Sequence, residues 1–401
     1  MPVPQRLYEG RIMTPPDLSL TRQELVERAD HLRSRMADAQ LDALLLTTGD
    51  NLRYVSGYPS PARSGPRPFI FILPIDHDPV FIVHSGREAE AQTLSWAQDI
   101  RTYYRLSRAP VETIAVALRD CGLDGARVGV EIGTEQCMNI PFSDFIALQQ
   151  RLPETDFVDS APTLWGARMR KSPAEIARLR RACHISSSAF ERCCPEFRAG
   201  MAEREIARML TDTMIELGAT DTWLLLTAGV GNYDMVSRGP SSRTVEPGDM
   251  VYIDAGCAIE GYWSDFDRTG VAGGPSPRQL EAQRFANEVT HMAVSMVGPG
   301  ANTRDIALAC KRALADFPFP ITSDIGQLAA RVGHGEGLAI VEPPNVAEYE
   351  DTILEEGMVI TIKPGVATEF GVFYIEQDVL VTAEGSEILS TAPTEIWTIP
   401  G

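Results

Sequence analysis

Carboxylates set inside strand-like apolar runs limit what this chain can fold into more than any other feature of it. Three segments carry them: residues 251–269 (VYIDAGCAIEGYWSDFDRT), 332–338 (VGHGEGL) and 357–382 (GMVITIKPGVATEFGVFYIEQDVLVT). An ionised carboxylate is costly to bury unless a cation or a metal compensates it. Asp254, Asp265 and Glu376 lie in runs otherwise fit for burial, so the strands are expected to be neighbours sharing one charged site. A turn at Glu260–Gly261 is expected to return the chain so that Asp265 faces Asp254, and the last segment offers Lys363 and Glu376. Asp267 and Asp378 lie two residues further along the same strands and can share that face. Solvated strand ends are the simpler expectation for both.

The rest of the chain reads as two domains, residues 1–165 and 166–401, as its length favours. Residues 22–39 have apolar positions at helical spacing, with Thr21 placed to cap them. Strand-like runs follow at 42–47, 69–74, 79–84 and 127–131, with helical stretches near 87–97, 111–121 and 142–152. That alternation predicts a small α/β domain. The pattern changes around 164–173; helices are expected at 173–191, 203–217, 279–297 and 303–316, among strands and hairpins. The second domain is therefore expected to be α+β.

Composition removes several functions. The formal charge of −19 argues against nucleic acid or an anionic membrane as a partner. No apolar run has the length needed to span a bilayer, and residues 1–9 lack the charged-then-apolar pattern of a secretory signal. The seven cysteines have neither zinc-ligand nor disulfide-framework spacing. A reducing cytoplasm is the expected location.

The three segments resemble those of the methionine aminopeptidase, prolidase and creatinase superfamily, whose catalytic domain has the pita-bread fold. The resemblance runs the length of the chain, the N-terminal part being similar to that of creatinase and prolidase. It implies a homodimer. In the peptidases of that superfamily an ordered Asp, Asp, His, Glu, Glu set holds two divalent ions. Asp254, Asp265, His334 and Glu376 match four of these positions, whereas Lys363, in TIKPG, stands at the position of the fifth. A lysine ammonium cannot ligate a metal and brings its own positive charge. The resemblance then implies either no metal, the favoured reading, or one divalent ion on Asp254, Asp265 and Glu376. Ser237 in VSRGPS, Val341 and Tyr374 stand where the peptidases carry two histidines and an arginine.

These departures make peptide hydrolysis the less expected outcome and point to a hydrolase of a small zwitterionic C–N substrate. Ectoine hydrolase, which opens a cyclic amidine, is the leading match on this reading. The expected catalytic residues are Asp265, Asp254, Glu376, His334 and Lys363. Arg67, Trp263, Tyr262, Ser237 and Glu336 are the expected substrate-binding ones; GPRPF resembles a creatinase loop, which implies that Arg67 reaches from a partner protomer toward the substrate carboxylate, with Arg63 nearby. A metal-dependent Xaa-Pro peptidase with one ion and a non-catalytic binding scaffold remain as alternatives.

Overall fold

The computed structural model describes residues 18–59 and 67–401. The first described helix, Arg22–Asp38, starts where the sequence puts it: Thr21 Oγ1 accepts the Glu24 amide hydrogen, satisfying one of the unpaired first-turn donors. Its apolar side chains Leu25, Ala29, Leu32 and Met36 are buried. A six-stranded sheet follows, in the order Asp99–Tyr103, Val80–His84, Ile70–Pro74, Ala43–Leu46, Arg127–Val130, Asp156–Asp159. The Ile70–Pro74 strand runs antiparallel to both neighbours, and the remaining pairs are parallel. Strands such as ALLL and IFILP are buried along their whole length, as expected of a sheet covered on both faces. The sequence pattern missed the short helix Gly49–Ser56 and the edge strands Asp99–Tyr103 and Asp156–Asp159. The edge strands carry too little apolar alternation to announce themselves.

The C-terminal part has two sheet-and-helix halves and a small three-stranded sheet in the order Ser323–Asp324, Gly365–Thr368, Gly371–Tyr374. In the first half, Asp221–Ala228, Met250–Ile259, Phe266–Ala272 and Trp397–Ile399 form a sheet that the short strand Tyr262–Trp263 joins. Helices Pro173–Cys193 and Glu203–Glu216 cover it, Ala182, Phe190, Ile206 and Leu210 packing with Leu226, Ile253 and Phe266. In the second half the sheet order is Glu342–Asn345, His334–Gly335, Val359–Ile362, Gln377–Thr382, Gly385–Ile388. There Ala293, Ile306 and Cys310 of helices Pro277–Ser295 and Thr303–Leu314 pack on Ile360, Ile362 and Val379. This is the α+β pita-bread arrangement, with a smaller α/β domain in front of it. The long helix Pro173–Cys193 begins with a Ser172–Glu175 capping box and Pro173 in its first turn, the sequence signature of an N-terminus.

The two domains are joined by buried charge. Arg168 and Lys171 lie 2.5 and 3.0 Å from the two carboxylate oxygens of Glu342, and Arg168 also donates to Asn51 Oδ1 at 2.8 Å. Nearby, Arg28 donates to the Tyr262 hydroxyl at 2.7 Å, which in turn donates to Glu175. Such a network is worth little relative to an apolar replacement but is costly to break at one member. It fixes how the small domain sits on the catalytic one.

Candidate active site

The site lies on the seam between the two C-terminal halves. Asp254 comes from the Met250–Ile259 strand of the first half; Asp265 immediately precedes Phe266–Ala272. His334 opens the short His334–Gly335 strand of the second half; Lys363 follows Val359–Ile362, and Glu376 precedes Gln377–Thr382. The expected turn is present: Glu260 and Gly261 adopt φ of 50° and 82°, a conformation that glycine takes without strain. Gly256 lets the hairpin close, because a Cβ there would stand 1.7 Å from the Ser264 carbonyl oxygen.

Asp254, Asp265, His334 and Glu376 are all buried. Ligand atoms of Asp265, His334 and Glu376 lie within 4.8 Å of one another. The Lys363 ammonium sits among them, 2.7 Å from Glu376 Oε1 and 3.7 Å from Asp265 Oδ2. Burial disfavours its charge, yet Glu376 first and then Asp265 hold the ammonium well above the ordinary lysine range. Burial, and then the negative charge of Asp265, push Glu376 well above the usual carboxylate range. Asp254 is raised for the same two reasons. Burial would raise Asp265 as well, but Lys363, His334 and a hydrogen bond from Asp254 together hold it below its usual value. The pocket therefore keeps one firmly ionised carboxylate beside one firmly protonated amine.

The imidazole tells more. His334 Nδ1 lies 3.0 Å from the Gly335 carbonyl oxygen, which can only accept, so Nδ1 carries the hydrogen. Burial and then Lys363 push His334 down to about 4, leaving the ring neutral near pH 7. Its Nε2 lone pair then faces Asp265 Oδ2 at 3.3 Å and Glu376 Oε1 at 4.0 Å. Acceptors facing one another need a cation between them. Asp254 Oδ1, Asp265 Oδ1, His334 Nε2 and Glu376 Oε2 lack a hydrogen-bond partner, and Glu376 Oε1 meets only the Lys363 ammonium, as ligand atoms awaiting an ion would. One divalent ion fits this set of carboxylates and imidazole. A second does not, because the Lys363 amine already stands among the acids.

Two carboxylates expected at solvated strand ends are fully buried instead. Asp267 accepts from the Tyr252 hydroxyl at 3.2 Å and from the Glu376 amide at 3.1 Å; burial, opposed by Arg268, pushes it up to about 7. Asp378 accepts from the Asp265 amide at 3.4 Å and from Cys183 Sγ at 3.1 Å, and burial followed by Asp265 raises it to about 7. The two-residue spacing from Asp265 and Glu376 was the available signal for both.

Other expected residues lie elsewhere. The Tyr262 hydroxyl is spent on Arg28 and Glu175 at the domain junction, and Trp263 is half-buried, its amide donating to the Gly337 carbonyl. Glu336 faces Cys183 and Asp378. Ser237 and Arg67 are exposed, and Arg63 is outside the described residues. Tyr374 is buried, its ring tilted against Tyr252 at 6.0 Å, and Val341 is 39% exposed. A surface cavity of about 720 Å³ lies at the domain junction, lined by Glu24, His31, Arg35 and Glu356; it is separate from the acid cluster.

Comparison with known proteins places this arrangement. Metallopeptidase family M24 matches residues 177–383, and the creatinase/prolidase N-terminal domain matches residues 28–170. The chain belongs to metallopeptidase family M24. Among relatives of this M24 protein, the Xaa-Pro dipeptidase of Pyrococcus horikoshii is 27% identical over 374 residues, 92% of this chain and 98% of the relative. Creatinase of a Bacillus species is 26% identical over 397 residues, 94% of this chain and 92% of the relative. The solved Xaa-Pro dipeptidase of Bacillus anthracis superposes with a TM-score of 0.80 at 25% identity, covering 94% of this chain and 100% of that one. These comparisons correct the expectation of an ectoine hydrolase. Relatives and solved structures that align along nine-tenths of the M24 chain are named Xaa-Pro dipeptidases, and peptide hydrolysis returns as the better-supported chemistry.

Proposed function

We propose that this protein hydrolyses the amide bond of a small, dipeptide-like substrate, with proline after the scissile bond as the first candidate. The observation that carries the reading is the buried convergence of Asp265, His334 and Glu376, with Asp254 hydrogen-bonded to Asp265, on a chain whose full-length relatives are named Xaa-Pro dipeptidases. Asp254, Asp265, Glu376 and His334 Nε2 would hold a single divalent ion. Such an ion, when bound, polarises a carbonyl and makes a bound water acidic near neutral pH.

This chain's own residues supply the remainder. Lys363 keeps a fixed positive charge beside Glu376, where developing negative charge on a substrate oxygen would be favoured. The bond from Nδ1 to the Gly335 carbonyl holds the imidazole so that Nε2 points inward. Asp265, kept ionised, orders the donors around it, while the apolar strands behind exclude water and strengthen every charge interaction inside.

The test is turnover of a dipeptide panel, with and without proline in the second position, by chelator-treated protein reloaded with Mn²⁺, Co²⁺ or Zn²⁺. Release of the free C-terminal residue is followed by chromatography. Metal-dependent release from any member supports the reading; none from folded, metal-loaded protein refutes it.

A further inference from the structure

Behind Asp265 lies a second group of ionisable side chains for which the amide-hydrolysis reading has no use. Cys183 comes from helix Pro173–Cys193, Glu336 from the loop after His334–Gly335, and Asp378 from Gln377–Thr382. All three are fully buried, and one ligand atom of each lies within 4.8 Å of the others. Cys183 Sγ donates to Asp378 Oδ2 at 3.1 Å, and the Asp265 amide donates to the same oxygen at 3.4 Å.

Glu336 and Asp378 meet only through a carboxyl–carboxyl contact in which one must carry a proton, and no other donor among the described residues reaches either Glu336 oxygen or Asp378 Oδ1. Among the described residues no ion pair reaches either carboxylate; the Lys171 amine is held by Glu342 at 3.0 Å. Two buried carboxyl groups that have no cation and lean only on each other and a thiol are an expensive way to fill a core. A divalent ion would replace the shared proton and satisfy both carboxyl groups at once. Sulfur beside two carboxylates selects a borderline cation such as Zn²⁺, Co²⁺ or Fe²⁺ over Mg²⁺ or Ca²⁺.

We propose that Cys183, Glu336 and Asp378 form a binding site for one borderline divalent transition-metal ion, separate from the Asp265–His334–Glu376 group. Binding forms metal–sulfur and metal–oxygen bonds and releases the thiol proton, with any proton shared by the two carboxyls, to solvent; nothing is oxidised or reduced. The bound ion would fix Asp378 and, through the Asp265 amide, the position of Asp265. The site thus ties a structural ion to the geometry of the reaction centre without touching substrate.

Cobalt reports sulfur ligation directly. Chelator-treated full-length protein is titrated with Co²⁺ and its near-ultraviolet absorption recorded. The expected result is a thiolate-to-cobalt charge-transfer band that saturates by two equivalents of Co²⁺, the Asp265 cluster taking up the other, disappears in Cys183→Ser and survives in Cys257→Ala. Glu336→Gln should weaken the Co²⁺ affinity read from the same band by about 10-fold or more. Circular dichroism confirms that each variant is folded; if Cys183→Ser is not, Glu336→Gln carries the test alone. A wild-type protein without the band, a band unchanged in folded Cys183→Ser, or an affinity unchanged in Glu336→Gln would overturn the proposal. Because the readout needs no turnover, it is independent of the dipeptide assay.

Discussion

Replacing Lys363 by methionine keeps an unbranched side chain one atom shorter and removes the charge from 2.7 Å beside Glu376. Lys363 is 11% exposed and Glu376 is fully buried, so water compensates little. Removing one member of a buried ion pair costs about 3–5 kcal/mol, because the other charge stays behind. At about 2.1 cal/mol/K per residue, unfolding this chain of 401 residues carries an entropy of about 0.8 kcal/mol/K, so Tm should fall by about 4–6 °C.

The loss should depend on pH in a definite direction. Glu376 already has its folded pKa raised, by burial and then Asp265, and Lys363 opposes that rise. Without the ammonium the folded pKa moves further up. A carboxyl that binds its proton more tightly when folded loses stability as pH climbs from its unfolded value, about 4.3, toward its folded one. The Lys363 contribution in the wild type is complete below the unfolded lysine value of about 10.4 and fades only as pH rises through its raised folded value. The gap between variant and wild type should therefore be small near pH 5 and wide near pH 8. Thermal unfolding of chelator-treated protein at the two pH values measures it. Lys363→Met/Glu376→Gln, which removes both charges, should recover most of the loss. Equal melting temperatures for wild type and Lys363→Met near pH 8 would refute Lys363 as the counter-charge of this pocket.

Lys363→Glu restores a carboxylate among the acids and should raise the Mn²⁺ or Co²⁺ held at the Asp265 cluster from one ion to two; elemental analysis of the variant and wild type in a Cys183→Ser background counts them. Asp265→Asn should reduce any amide hydrolysis by about 100-fold or more while leaving circular dichroism unchanged, since the ionised carboxylate at the centre is lost without a change of shape. Glu342→Gln leaves Arg168 and Lys171 without their shared carboxylate and should cost about 3–5 kcal/mol, measured by urea unfolding. A change below about 0.5 kcal/mol, typical of surface positions, would show that the domain junction does not depend on it.

The order and chemistry of the segments determined a good deal on their own. Asp254, Asp265 and Glu376 were legible because charged residues interrupt apolar strand runs, and burial of such residues demands compensation; His334 was legible only through the resemblance to the superfamily's motif order. The helix starts at Thr21 and Pro173 were legible because a capping side chain and a first-turn proline are local chemistry. The substrate class was not. Swapped residues such as Lys363 and Tyr374 led away from peptide hydrolysis, whereas relatives along the whole chain point back to it. Residue identity at a few positions states what a pocket lost, not what its remaining groups still do together. Tertiary structure alone decided that Asp267 and Asp378 are buried, that Tyr262 serves the domain junction, and that Cys183, Glu336 and Asp378 meet. Cys183 and Asp378 are 195 residues apart; only the packing of helix Pro173–Cys193 across the seam of the two halves brings them together, and no local pattern encodes a contact made at that distance along the chain.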